Sequence, residues 1–234
     1  MKNILLASTS TLYKDSYLNY LMEPLEAFFA ASEQICFIPY ARPGGVSYDD
    51  YTAKVSEVFK KIDKEVRGIH TYDSSEEAIL SADAVFVGGG NTFVLLNTLY
   101  QYNLLPALRD RIFEGMPYLG TSAGSNLCGI TMQTTNDMPI VYPPSFKTLG
   151  VVPFNINPHY LDPPPHLEHM GETRETRIQE FHTYHNLPVV GLREGSWLHV
   201  QKEEITLHGI PSARIFEQGK PAYEIASGSK IDYF

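Results

Sequence analysis

The sequence has few cysteines, no cluster of basic residues and no long apolar run. Its 234 residues include only two cysteines, Cys36 and Cys128, and no Cys-x-x-Cys spacing, so we expect two buried free thiols and no structural zinc site. Lysine and arginine number 18 against 27 acidic residues, and no stretch concentrates them. A nucleic-acid partner is therefore not expected, because such a partner requires a basic patch.

The first apolar stretch, residues 3–7, is too short to span a membrane or to form the core of a signal peptide. We interpret it as a buried strand of a cytoplasmic protein without a membrane partner. The net charge of −9 offers no general attraction for an acidic ligand. Any such ligand would need a local cation.

Short apolar stretches alternate with segments of helical periodicity in the first half of the chain. Strands are predicted at residues 3–7, 35–39, 68–71, 84–87 and 117–119, and helices at 18–31, 49–62, 75–82, 91–100 and 104–114. The proline-rich second half predicts a helix at 171–185 and strands at 189–192, 197–200 and 204–207. This order predicts an α/β fold, one domain over residues 1–234, with a mostly parallel sheet and helices on both faces.

The sharpest local signal is the Gly-x-Ser-x-Gly pattern of Gly120, Ser122 and Gly124, which follows the last predicted strand of the first half. A helix can begin directly after it, so the serine would lie on a tight turn with its hydroxyl exposed. The flanking glycines tolerate a cramped backbone. The pattern predicts a nucleophilic serine and an oxyanion contact from the Ala123 amide. The alternative is that Ser122 or Ser125 only caps a helix.

Three consecutive glycines, residues 88–90, follow another predicted strand and precede a helix. Backbone amides in such a loop bind an anion, which is either a phosphate or the oxyanion of acyl transfer. The stretch lacks the Lys-Ser/Thr of a P-loop and the spacing of a dinucleotide-binding loop. A second oxyanion donor is one interpretation, and a plain tight turn is the other.

A serine hydroxyl needs a base, and the base needs a carboxylate that orients it. Among eight histidines, His159 stands out because it follows Pro158 in an irregular segment where loops gather. Two carboxylates compete as its partner, Asp137 and Glu194, the latter directly beyond a predicted strand. The structural alternatives are a turn cap for Asp137 and a hairpin-edge charge for Glu194. The residues alone do not decide between them.

Together these motifs resemble peptidase E, the cytoplasmic α-aspartyl dipeptidase family of serine peptidases (family S51). The resemblance covers nearly the whole chain, and several of its stretches keep six or more residues in the family's order. The stretches that show it are residues 5–10, 49–54, 87–93, 120–124, 134–141, 156–159, 171–175 and 191–197.

The resemblance implies a flavodoxin-like fold similar to the class I glutamine amidotransferases, with serine at the nucleophile elbow where those enzymes have cysteine. It implies that Ser122 is the nucleophile and His159 the general base. For the third member, Asp137 matches an aspartate that the family needs for activity, and Glu194 matches a glutamate proposed as the histidine's partner. We favour Asp137 as required for activity and leave open which of the two touches His159.

The resemblance also implies an oxyanion hole formed by the amides of Gly90 and Ala123, and substrate contacts from Asn91 and Arg174. The family cleaves dipeptides of the form Asp-Xaa. A guanidinium binds the aspartyl carboxylate through two parallel hydrogen bonds, which suits Arg174 to this task. No metal and no cofactor are expected, and a homodimer is left open.

Three alternatives to an aspartyl dipeptidase remain. An α/β-hydrolase esterase shares the Gly-x-Ser-x-Gly pattern but would place its histidine near the C-terminus, with His208 as the candidate. A cyanophycinase-like peptidase would act on β-linked aspartyl polymers. A non-enzymatic anion-binding module would use Ser122 only as a cap. Residues 160–170 depart from the family's pattern, and their His166 and His169 are expected to be solvated.

Overall fold

Both faces of the early strands are apolar, which is typical of a parallel sheet covered on two sides. In the first strand, Ile4 and Leu6 belong to one buried cluster, whereas Leu5 and Ala7 belong to a second cluster. Successive side chains of a strand point to opposite faces of the sheet. A continuous apolar run therefore buries itself completely only where other elements cover both faces.

The computed structural model describes residues 1–163 and 171–231. In these ranges the strands are β1 (Asn3–Ala7), β2 (Gln34–Ile38), β3 (Glu65–Gly68), β4 (Ala84–Val87), β5 (Tyr118–Thr121), β6 (Asn155–Pro158), β7 (Val189–Leu192), β8 (Ser196–Gln201), β9 (Glu204–Gly209), β10 (Ala213–Phe216) and β11 (Tyr223–Ile225). The helices are α1 (Met22–Phe28), α2 (Tyr48–Phe59), α3 (Ser75–Ser81), α4 (Thr92–Gln101), α5 (Leu105–Glu114), α6 (Ala123–Asn126) and α7 (Arg174–Phe181).

The larger sheet has the strand order β3-β2-β4-β5-β1-β8-β9. Its first five strands are parallel, and the hairpin of β8 and β9 adds to β1 in antiparallel orientation. Helices α1 and α2 pack on one face, and α3 to α6 pack on the other. The predicted α/β fold with a mostly parallel sheet is confirmed. The carboxyl ends of β4, β5 and β1 lie side by side, at the edge where such sheets hold ligands.

A second sheet, with the order β11-β10-β7-β6, was not predicted. Strand β6 runs parallel to β7, and the other two pairs are antiparallel. Strand β6 ends in Pro158, which has no N–H to donate. Proline is tolerated there because β6 is the edge strand of its sheet. The proline content of this region conceals the strand from a reading of sequence patterns.

The two sheets share one core. Ile156 of β6 and Val190 of β7 belong to the same buried cluster as Leu6 of β1 and Val87 of β4. The ends of β6 and β7 lie near the carboxyl end of β1, because Ser8, directly beyond β1, forms hydrogen bonds with His159 and Leu192. The prediction of one domain over the whole chain stays a prediction.

Two elements in the first half differ most from the predictions. The helix predicted at residues 18–31 is reduced to α1 and a preceding short 3-10 turn, because Leu18 has left-handed backbone with a φ of 57°. The strand predicted at 68–71 lies three residues earlier in the chain, as β3 (Glu65–Gly68). A 3-10 turn occupies Ile69–Thr71 instead. Alternating charged residues at the sheet edge gave β3 little apolar signal.

Helix α7 is shorter than the predicted helix at 171–185. The side chain of Thr173 accepts a hydrogen bond from the N–H of Thr176, which is the arrangement of an N-cap and fixes the start of the helix. His166 and His169 lie outside the described residues.

Strand β5 and helix α6 meet through two glycines that leave no room for a side chain. A Cβ atom on Gly120 would lie 2.6 Å from the carbonyl oxygen of Gly124. A Cβ atom on Gly124 would lie 2.2 Å from the carbonyl oxygen of Val87. The turn from β5 to α6 therefore requires glycine at both positions.

The substitution Gly124→Ala is expected to lower the free energy of unfolding by about 3 kcal/mol, because the added methyl group overlaps the backbone of β4. Urea unfolding measures the effect. Gly44→Ala is the matched control, since nothing lies within 4 Å of a Cβ atom at that position. Equal stabilities of the two variants would contradict the tight packing of α6.

Candidate active site

Ser122 lies between β5 and α6 in a sparsely populated backbone conformation, with φ of 53° and ψ of −107°. Such strain typically costs about 1–3 kcal/mol and persists only where the surroundings impose it. The Ser122 N–H donates to the carbonyl oxygen of Ala7 at 3.1 Å. The close contact of Gly124 with β4 fixes the other side of the turn. This is the strand–turn–helix context that exposes a reactive serine.

His159 reaches Ser122 from the second sheet. It follows β6 and has left-handed backbone, with a φ of 52°. Its Nε2 lies 2.8 Å from Ser122 Oγ, and its Nδ1 lies 2.6 Å from Glu194 Oε1. The hydroxyl of Ser122 and the imidazole of His159, which are far apart in the sequence, therefore lie within hydrogen-bond distance of each other. When Nδ1–H donates to the carboxylate, Nε2 is left to accept the serine proton, which is the tautomer that a general base needs.

Glu194, not Asp137, is the carboxylate in contact with His159. Glu194 lies two residues beyond β7, and β7 pairs in parallel with the strand that leads to His159. Asp137 Oδ2 instead accepts hydrogen bonds from the Thr92 N–H at 2.7 Å and the Thr92 hydroxyl at 2.6 Å. Asp137 therefore binds the first residue of α4. The question that the sequence left open is answered in favour of Glu194.

The glycine loop before α4 lies against Ser122. A Cβ atom on Gly89 would lie 3.2 Å from Ser122 Cβ. Gly90 has a φ of 150° and packs so tightly that a Cβ atom would lie 2.2 Å from the Ala41 carbonyl oxygen. Among residues 1–163 and 171–231, no protein acceptor takes the N–H of Gly90 or of Ala123. Two such donors near a serine hydroxyl can bind an oxygen anion.

Asn91, expected to contact substrate, has both ends of its side chain engaged within the protein. Its Oδ1 accepts a hydrogen bond from the Val94 N–H at 3.1 Å, so it caps α4. Its Nδ2 donates to the carbonyl oxygen of Met138 at 2.9 Å. These contacts give Asn91 a structural task, and its predicted contact with substrate stays a prediction.

Arg174 begins α7 and is half-buried beside the main chain of His159. Its Nη1 donates to the carbonyl oxygens of Pro158, at 3.3 Å, and of His159. Burial lowers the pKa of Arg174 from its ordinary value, and the nearby Glu194 carboxylate opposes that shift. The guanidinium stays charged, because an arginine is not deprotonated at physiological pH.

His208, the histidine of the esterase alternative, has a different environment. It lies on β9, at the outer edge of the larger sheet, and its ring stacks on Trp197 with the ring centroids 4.3 Å apart. Burial lowers the pKa of His208 below its ordinary value. The structure thus brings His159 to Ser122 and places His208 in an aromatic stack.

The sequence model of Peptidase family S51 matches residues 4–208 of this chain. The chain belongs to peptidase family S51. A relative named Peptidase E, from Streptomyces coelicolor, is 46% identical over 229 residues that cover 98% of this chain and 93% of the relative. A relative named probable alpha-aspartyl dipeptidase, from Drosophila melanogaster, is 45% identical over 96% of this chain and 94% of its own length.

A solved structure with the same fold is that of a peptidase from an acI-B1 Actinobacterium. It has a TM-score of 0.74 and 14% sequence identity, and the similarity covers 100% of this chain and 97% of that one. The match to the family model and the identity to the two relatives confirm the resemblance to family S51 that the motifs indicated.

Two further features of this S51 chain concern metals and membranes. The part of the chain that the structure describes contains no group of three or more His, Cys, Asp or Glu side chains that could hold a metal ion. None of the helices in residues 1–163 and 171–231 has both the length and the apolar character needed to cross a bilayer.

An ion-pair network that the sequence analysis missed surrounds the end of β7. Arg193, next to Glu194, donates twice to Asp162, each time at 2.9 Å, and to Glu224 at 2.8 and 3.0 Å. The hydrogen bonds from Arg193, with further ones from Ser212 and Arg214, lower the pKa of Glu224 to about 2. The partners lie 31 residues from Arg193, so no local pattern signals them. The network ties the residue before Glu194 to the segment that follows His159.

Glu224→Gln is expected to destabilise the protein at pH 7, and less so in acid. The folded-state pKa of Glu224, about 2, lies below the unfolded value of about 4.3. The ionised carboxylate therefore stabilises the fold above the unfolded pKa, and this contribution is lost as the pH falls towards 2. Urea unfolding of the wild type and the variant at pH 7, 4 and 3 measures the gap in stability.

The exposed Glu76 offers the matched control for this test. Glu76→Gln removes the same charge outside any network and should change stability little at each pH. A gap between the wild type and Glu224→Gln that stayed constant from pH 7 to pH 3 would contradict the assignment.

Proposed function

We propose that this S51 chain is a serine-type dipeptidase that hydrolyses dipeptides with an N-terminal aspartate. The observation that supports the proposal is that Ser122, on its strained turn, is hydrogen-bonded to His159, and His159 in turn to Glu194. Membership of family S51 and the name of the Drosophila relative, an alpha-aspartyl dipeptidase, support the same reaction and substrate class.

In the proposed reaction, Ser122 Oγ attacks the carbonyl carbon of the aspartyl residue while His159 Nε2 takes the hydroxyl proton. The N–H groups of Gly90 and Ala123 hold the resulting oxyanion, and each such donor contributes about 3–4 kcal/mol in comparable enzymes. His159 then protonates the leaving amine as the C–N bond breaks. Water, deprotonated by the same imidazole, releases aspartate from the acyl-enzyme and restores the serine.

The two carboxylates have different parts in this proposal. Glu194 holds the imidazole in the required tautomer and stabilises the imidazolium that forms. Asp137 acts on the oxyanion hole without touching it. Its carboxylate binds Thr92, two residues after Gly90, and so holds the glycine loop in place. Both carboxylates then support activity, but only Glu194 interacts with the base.

Arg174 supplies the cation that selects an aspartyl side chain. The chain as a whole is acidic, with a net charge of −9, so a local positive group must attract the substrate carboxylate. The Arg174 guanidinium donates to the backbone carbonyl oxygen of His159, and this contact supports a role for its charge near the reacting groups. A guanidinium can bind the carboxylate through two charge-assisted hydrogen bonds.

Ser122→Ala is expected to lower kcat on Asp-Leu by about 10⁴-fold or more, because no other group replaces the nucleophile. Steady-state hydrolysis in the presence of EDTA measures the effect, and circular dichroism checks that the variant folds. A fluorophosphonate should label the wild type at Ser122 and leave the variant unlabelled.

Ser81→Ala, which removes an exposed hydroxyl on α3, is the matched control and should retain full activity. Substantial hydrolysis of Asp-Leu by Ser122→Ala would refute the proposed mechanism. Faster cleavage of β-Asp-Arg than of Asp-Leu by the wild type would point instead to a cyanophycinase-like peptidase.

Arg174→Met is expected to reduce the preference for Asp-Leu over Asn-Leu by about 100-fold, since two charged hydrogen bonds to the substrate are lost. The ratio of kcat/KM values for the two dipeptides measures the preference. Arg177→Met, on the same helix one turn later, removes an exposed charge of the same sign and should keep the preference. A similar loss in both variants would indicate a general field effect rather than a contact with Arg174.

A further inference from the structure

Ser8 follows β1 and is completely buried, yet no step of the proposed reaction uses it. Its hydroxyl donates to the carbonyl oxygen of Leu192 at 2.7 Å and accepts from the His159 N–H at 2.9 Å. A serine hydroxyl has a single proton, so its donor capacity is fully used by Leu192. Ser8 therefore binds protein groups on both sides and is turned towards the second sheet.

These two hydrogen bonds reach the two chain segments that carry His159 and Glu194. The first contact is with the backbone of His159 itself. The second is with Leu192, the last residue of β7, which precedes Glu194 by two positions. The Tyr160 N–H also donates to the Leu192 carbonyl oxygen, at 3.1 Å. The Ser8 hydroxyl thus connects the ends of β1, β6 and β7.

Ala7, the residue before Ser8, binds the turn that carries Ser122. The Ala7 carbonyl oxygen accepts from the Ser122 N–H at 3.1 Å and from the Ser125 hydroxyl at 2.7 Å. Two consecutive residues at the end of β1 therefore fix the turn of Ser122 in the larger sheet and the turn of His159 in the smaller one. Because the two residues share one peptide bond, they set the separation between these turns.

The backbone of His159 needs such support. Its φ of 52° is unusual for a residue with a side chain, and a conformation of this kind persists only where neighbouring groups impose it. Ser8 binds its N–H group, and Arg174 binds its carbonyl oxygen. Without the Ser8 hydroxyl, the His159 N–H loses its acceptor. The Leu192 carbonyl oxygen loses one of its two hydrogen-bond donors.

We infer that Ser8 is a positioning residue, whose hydroxyl holds the His159 imidazole between Ser122 and Glu194. This inference rests on the proposed function, because its effect is measured on the reactivity of Ser122. It assigns to the serine after β1 a task in aligning the base, without contact with the substrate.

The test is Ser8→Ala in the full chain, with the rate of Ser122 modification by a fluorophosphonate as the first readout. We expect labelling to slow by about 10- to 100-fold, because a misplacement of the base by about 1 Å impairs proton transfer. On Asp-Leu we expect kcat to fall by a similar factor, while KM stays within about twofold. A merely structural role would leave both rates unchanged in the folded fraction.

Thr148→Val is the matched control, since it removes a hydroxyl that donates to the Gly129 carbonyl oxygen at 2.6 Å. It should lose stability but keep the wild-type labelling rate. Ser8→Cys is the second variant, because a thiol occupies similar space but forms only weak hydrogen bonds. It should also be labelled slowly. Thermal unfolding and circular dichroism establish the folded fraction of each variant.

A wild-type labelling rate in folded Ser8→Ala or Ser8→Cys would overturn the inference. Slow labelling of every Ser8 variant that folds, together with normal labelling of Thr148→Val, supports it. Failure of the wild type itself to be labelled would refute the proposed function instead, so the two outcomes are distinguishable.

Discussion

The contact between main chains at the turn of Ser122 is the constraint on which the site depends. Gly120 meets Gly124, and Gly124 meets the carbonyl of Val87, at distances that no Cβ atom allows. The short helix α6 is thereby pressed onto β4 and β5, and the serine between strand and helix is left in a strained conformation. Burial of the surrounding core stabilises this arrangement, since the turn is built into the centre of the larger sheet.

The second constraint is the register of β6 and β7. Pro158 lies opposite Leu192 in this parallel pair, so the residues directly beyond the two strands emerge together at one end of the smaller sheet. His159 and Glu194 are among them, and their side chains meet there. A slip of one residue would turn the side chains of β7 to the opposite face. The ion pairs of Arg193 with Asp162 and Glu224 hold the chain just beyond this pair of strands.

The features predicted correctly from the sequence are those that a contiguous stretch of residues encodes. Strands such as β4 are short apolar runs bounded by turn residues, and the context of Ser122, a strand followed by a helix, is contiguous in the chain. The choice between Asp137 and Glu194 could not be made in the same way, because it depends on the pairing of β6 with β7, more than 30 residues apart. The smaller sheet was missed because its edge strand, β6, ends in proline, a residue that does not signal a strand.

The attraction of an acidic ligand to this protein depends on the position of individual charged side chains rather than on the net charge of the chain. Beyond about 10 Å salt screens most of the repulsion between a net charge of −9 and an acidic ligand. Arg193 and Arg214 both pair with carboxylates, so their charges are compensated within the protein. Arg174 donates to neutral carbonyl oxygens, and in residues 1–163 and 171–231 it makes no ion pair. Its charge is therefore available to an anion, which is the basis of our proposal that it binds a substrate carboxylate.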